Sequence, residues 1–152
     1  MSPVAEGLLR WRVECLEAQP RLWRIESAGT WAPYGLRAWA EAREAMRQRG
    51  ISIDEHRTRP VTPNLLRQFH LVLTMDDLQK RSLEIEYPDC ASRMYRLTEM
   101  SGQRIDLAAP RAPDVPECER ICQELSMWLT MGDERIHQLA RLDVRLDERQ
   151  VI

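Results

Sequence analysis

Long apolar runs, a surplus of one charge sign and abundant glycine are all missing from this chain of 152 residues. No stretch approaches the ~20 apolar residues that a membrane span needs. Glu6, Arg10, Arg12 and Glu14 crowd the start, a pattern opposed to a secretory signal, so a cytoplasmic protein is expected. The 22 Lys and Arg against 24 Asp and Glu leave a formal charge of -2, which denies the chain the basic field that whole-surface binding of nucleic acid or anionic lipid requires. With 6 Gly, 9 Pro and 43% hydrophobic residues, there is apolar material for one domain and too little for two. Cysteine is limited to Cys15, Cys90, Cys118 and Cys122. A chain of this length does not depend on disulfide staples, and the thiols are read as reduced.

What is present is an alternation of helical and strand patterns. Ser2 is placed as an N-cap with Pro3 at the first helical position, and Val4, Leu8, Trp11 and Cys15 recur at helical spacing. After Pro20, residues 22–27 read as a strand in which Trp23 and Ile25 alternate with polar neighbours. A helix is predicted from about 35 to 49, closed by Gly50. Residues 69–75 are nearly continuously apolar, the pattern of a strand covered on both faces. Residues 76–86 look helical, and 93–97 form a short third strand. Asp114 and Glu117 make a capping-box start, followed by one helical stripe of Cys118, Ile121, Cys122, Leu125, Trp128 and Leu129. This order predicts an α/β three-layer sandwich with a short parallel sheet over 1–132, and a charged C-terminal extension over 133–152. In such folds ligands sit beyond the carboxyl ends of the strands.

Five strings occur in a telling order: Ser2-Pro3-Val4-Ala5-Glu6, Ser27-Ala28-Gly29-Thr30, Gly50-Ile51 with His56-Arg57-Thr58-Arg59, Leu71-Val72-Leu73-Thr74-Met75, and Tyr95-Arg96-Leu97-Thr98-Glu99-Met100-Ser101-Gly102. Together, over roughly residues 1–130, they resemble the low-molecular-weight protein-tyrosine-phosphatase family, whose bacterial relatives include the thioredoxin-linked arsenate reductases. The resemblance implies a Cys-x5-Arg-Ser loop between a central first strand and the first helix. Its thiolate attacks phosphorus, its backbone N–H groups and Arg hold the phosphoryl oxygens, and a distant Asp protonates the leaving phenolate. Aligned on that pattern, Met1 stands at the loop's Arg, and the Cys, the loop and the first, central strand are missing. Where the family reads Asp-Ile-x-Asp-Pro, this chain reads Asp106-Leu107-Ala108-Ala109-Pro110, so Ala109 holds the acid position. No other thiol substitutes: Cys15 lies roughly 20 Å along the first helix, Cys90 sits at the amino end of its strand, and Cys118 and Cys122 face the core.

The expectation is therefore a phosphatase-like protein that is catalytically inactive as written, a truncated pseudoenzyme. Two alternatives stand beside it: an active phosphotyrosine phosphatase using a cysteinyl-phosphate, whose recorded start omits the loop, and a non-catalytic interaction module. Ser2, Ser27 and His56 match the hydrogen-bonded network beneath the family's phosphate loop, although Ser2 also reads simply as a helix cap and His56 as a satisfied loop histidine. Arg57 and Arg59 are weak anion-binding candidates or solvated charges. Cys118 and Cys122 with His137 lack a second ligand pair at zinc spacing, so no metal or cofactor is expected. Asp76 and Asp77 read as first-turn helix residues that complement its dipole. Trp23, Trp39 and Trp128 are read as core, Trp31 as a loop residue at a pocket rim. The family resemblance implies a phosphorylated protein as partner. A missing central strand of about five buried apolar residues, at ~1.5–3 kcal/mol each, would leave exposed sheet edges that invite self-association or a partner's strand.

Overall fold

The computed structural model describes residues 1–109 and 112–140 together with the backbone of 149–151; Pro110 and the 141–148 part of the predicted extension lie outside the described residues. Helix α1 spans Ser2–Leu16 with Met1 at the cap position. Ser2 is thus the first helical residue and not the N-cap, and no side chain caps this end. The buried face is Val4, Gly7, Leu8, Leu9 and Val13, while Trp11 and Cys15 turn outward. Gly7 explains the rotation: a methyl there would lie 2.6 Å from Ile53 Cγ2 and 2.9 Å from Met46 Cε. Absence of a side chain lets α1 sit directly on the segment after the next helix, and the glycine edge becomes the contact face.

Strand β1 (Trp23–Ile25) follows a 3₁₀ turn at Pro20–Leu22. Helix α2 (Ala40–Gln48) begins later than its pattern predicts. The cause is backbone competition: Leu36 N–H donates to Thr58 Oγ1 at 2.9 Å, Leu36 C=O accepts from Thr58 N–H at 2.7 Å, and Gly35 is left-handed at φ 85. Trp39 consequently precedes the helix and is 50% exposed, not a core residue. Gly50, at φ 74, closes α2 as expected. A short helix α3 (Pro63–Arg67), capped by Thr62, was not apparent in the apolar pattern.

Strand β2 (Val72–Thr74) is the centre of the 69–75 apolar run, and Phe69, Leu71, Val72, Thr74 and Met75 are all buried. Asp76 then caps helix α4 (Asp77–Glu86) by accepting from Gln79 N–H at 2.7 Å. Strand β3 (Met94–Arg96) pairs parallel to β2 in the register Val72↔Met94. Helix α5 (Val115–Met131), capped by Asp114, buries the full predicted stripe. Helix α6 (Asp133–Ala140) lies in the segment read as a charged extension, and its Ile136, Leu139 and Ala140 recur at i, i+3, i+4 and join the main core. Strand β4 (Arg149–Val151) pairs parallel to β1.

Two parallel ladders result, β1–β4 and β2–β3, with no ladder between β1 and β2 among the described residues. The main core lies between the sheet and α1, α2, α5 and α6; a smaller cluster of Leu66, Val72, Leu83, Cys90 and Met94 lies on the opposite face. Helices on both faces of short parallel strands make the expected three-layer α/β architecture.

Candidate functional site

A crevice of about 150 Å³ opens between the end of β1 and β2. Residues 25–30 form one wall and residues 72–75 the other, while Ser2, Ala5, Glu6 and Leu9 of α1 close it from the side. The amino end of α1 therefore meets the crevice at the carboxyl ends of two strands, the place where an α/β sheet binds ligands and where a helix dipole favours an anion.

Ser27 and His56 do come together, through Glu6, the last residue of the first string and one turn after Ser2. Glu6 Oε2 accepts from the Ser27 hydroxyl at 2.5 Å and lies 3.3 Å from His56 Nδ1, and its other oxygen pairs with Arg10 at 2.9 Å. Burial alone pushes the Glu6 carboxyl up. The hydrogen bonds from His56 and Ser27 and the charge of Arg10 outweigh that and hold it below the ordinary carboxylate value. Ser2 lines the crevice beside this network without a side-chain cap bond.

Arg57 and Arg59 sit apart from the crevice, in a second depression with Glu6 and His56. Arg59 is consumed: its Nε donates to Ser27 C=O at 3.1 Å and its Nη2 pairs with Glu26. Arg57 folds back onto the carbonyls of Asp54 and His56 at 2.9 and 2.8 Å. Arg57 thus satisfies its own loop, and Arg59 the segment that follows β1.

The string Asp106-Leu107-Ala108-Ala109 is tied down at its start. Leu107 N–H donates to Met75 C=O at 2.8 Å, and Asp106 Oδ1 accepts from Asp77 N–H and from Arg96 Nη1, both at 3.0 Å. The Asp106 hydrogen bond raises the Arg96 pKa, with Glu99 and Asp77 adding to it. Asp106 is therefore tied up in structure, and Ala109 two residues beyond Leu107 is exposed and has no proton to give.

None of the described thiols lies in the crevice lining. Cys118 and Cys122 are buried on α5, Cys122 against Met46 Sδ at 3.5 Å, and burial raises both thiol pKa values. Cys15 is exposed in the last turn of α1, and Cys90 belongs to the small cluster on the far face. His137 lies with Glu17 at 2.5 Å and edge-on to Trp23 at 4.9 Å, not with the α5 cysteines. Trp31 stands 95% exposed in the loop after Thr30, outside the crevice lining.

A three-layer α/β sandwich whose first helix opens on the carboxyl ends of its strands is the fold of a small phosphotyrosine phosphatase. The family model "Low molecular weight phosphotyrosine protein phosphatase" matches residues 1–141, and the chain belongs to that family. It is 34% identical to "Probable low molecular weight protein-tyrosine-phosphatase EpsP" of Ralstonia nicotianae over 138 residues, 91% of this chain and 89% of that protein. It is 31% identical to "Low molecular weight protein-tyrosine-phosphatase Ptp" of Acinetobacter johnsonii over 104 residues, 68% of each. Among solved structures, the low-molecular-weight protein tyrosine phosphatase from T. tengcongensis superposes with a TM-score of 0.81 at 31% identity, covering 88% of this chain and 90% of that one.

Proposed function

We propose that residues 1–152 form a low-molecular-weight phosphatase scaffold that does not itself catalyse phosphate-ester hydrolysis or arsenate reduction, and whose crevice docks an extended segment of another polypeptide in the cytoplasm. The observation that carries this reading is the crevice itself: it meets the helix end where phosphate would bind, and no described thiol or free carboxylic acid lines up with it. Without a thiolate there is no atom to take the phosphoryl group, and with Ala109 at the acid position there is no proton for the leaving oxygen. Incubation of the purified chain with p-nitrophenyl phosphate and with a phosphotyrosine peptide is expected to give the background rate. Turnover abolished by one Cys→Ser substitution would overturn the proposal.

A second reading is favoured by the Glu6–Ser27–His56 network, which borders the crevice at the amino end of α1. A polypeptide carrying a strand and a Cys-x5-Arg loop ahead of Met1 would then be a phosphotyrosine protein phosphatase acting on phosphorylated proteins. Such an extended chain should form the phospho-cysteine and turn over slowly on poor leaving groups. Ala109→Asp should accelerate those substrates by up to ~10²-fold and good leaving groups far less; equal effects on both would remove Ala109 from the acid position. Light scattering on the unextended chain tests self-association through the sheet edges: dimers or larger species are expected, and a monodisperse monomer would argue against it.

A further inference from the structure

The crevice is a gap between the two cores. Its lining joins Ile25, Leu97 and Leu129 of the main core to Leu66, Val72 and Leu83 of the small cluster. All six are buried, so the walls are held in place by the packing behind them. The space they leave is about 150 Å³, the size that accepts a benzene-sized molecule when its walls are apolar.

Charge narrows the choice of occupant. No arginine, lysine or histidine lines the crevice among the described residues, so an anion meets no fixed cation there. Glu6 and Glu26 do line it, and both are spent: Glu6 on Ser27, His56 and Arg10, Glu26 on Arg24 Nε at 2.8 Å and on Arg59. A cationic ligand would have to compete with partners already in place. What remains free is a neutral donor. Gln79 Oε1 accepts from Met75 N–H at 3.2 Å, which orients the amide, and its Nε2 makes no hydrogen bond among the described residues. The structure assigns the crevice to a small neutral molecule, the size of one substituted ring, with one carbonyl-type acceptor for the Gln79 amide. This goes beyond the docking of a polypeptide segment and stands without it. Because such a ligand touches residues of both cores, its binding also ties the two faces of the sheet together.

Acetophenone, titrated into the full chain and followed by NMR, tests the site. It is expected to bind with a Kd of ~1 mM or tighter and to show NOEs to methyls of both cores, those of Leu129 and those of Val72. At about 10 mM it should raise the Tm by ~2 °C or more. Ethylbenzene, similar in shape and without the acceptor, should bind at least about threefold more weakly, and Gln79→Leu should remove that difference. Ala5→Leu enlarges a side chain of the crevice wall without opposing helix formation in α1, and should weaken both ligands at least about tenfold. Should that variant fail to fold, the NOEs in the parent chain decide. Absence of those NOEs overturns the site, and so does undiminished binding to a folded Ala5→Leu chain. Phenyl phosphate binding more tightly than acetophenone overturns the neutral class, and equal binding of acetophenone and ethylbenzene overturns the part given to Gln79.

Discussion

The two faces of the sheet are held by different means. On one, α1, α2, α5 and α6 pack on one another as well as on the strands, and their residues form the large core around Leu125, Ile136 and Met46. On the other, α3 and α4 bring only Leu66 and Leu83 against Val72, Cys90 and Met94. Helices that bury their stripes against each other keep a core even where strands do not meet. The thin face depends on β2 and β3 being in place, and the crevice separating β1 from β2 is where that dependence is felt.

Core truncation breaks the comparison most sharply. Leu125→Ala, in the helical core, is expected to cost ~4 kcal/mol and Leu83→Ala, on the thin face, ~2 kcal/mol, measured by denaturant unfolding; equal losses would erase the distinction. Overpacking comes next. Gly132→Ala would set a methyl 2.5 Å from Met100 Cβ, and Gly7→Ala one 2.6 Å from Ile53 Cγ2, so each should lose ~1–3 kcal/mol. Gly132→Ala should be the worse, since Met100 Cβ is fixed to backbone and the Ile53 methyl sits farther out on its side chain.

The crevice network gives a smaller, pH-dependent effect. A carboxyl whose folded pKa lies below its unfolded one adds stability above the ordinary 4.5 and loses it as pH falls through the lower folded value. Glu6→Gln should therefore destabilise by ~1–2 kcal/mol at pH 7, and the deficit should shrink as unfolding is measured at pH 4 and below. A constant deficit would mean that Glu6 acts by shape alone. Smallest of all, Trp31→Ala should shift stability by no more than ~0.5 kcal/mol, because its exposed ring packs on nothing that the fold needs.

The apolar run at 69–75, the α5 stripe and the Asp114 cap were legible in the sequence, since local pattern and final environment agree there, whereas Asp76, read as a first-turn residue, proved to be the cap of α4. Trp39 and the start of α2 were not, because Thr58, far along the chain, takes the backbone groups of Leu36. Within the site, Ser27 and His56 could be matched by family resemblance, yet Glu6, which joins them, could not be singled out by spacing. Arg59 looked available for an anion until Glu26 and Ser27 claimed it.

By itself, the sequence determined the alternation of α1, β1, α2, β2, α4, β3 and α5 and the family strings, which are properties of local residue identity. Only the tertiary structure decided that Gly7 turns α1 onto Ile53, that Arg10 and Arg59 take the carbonyls of Ile25 and Ser27, and that β4 returns to pair with β1. Those outcomes depend on groups far apart in the chain competing for the same few backbone atoms, a competition that no local pattern records.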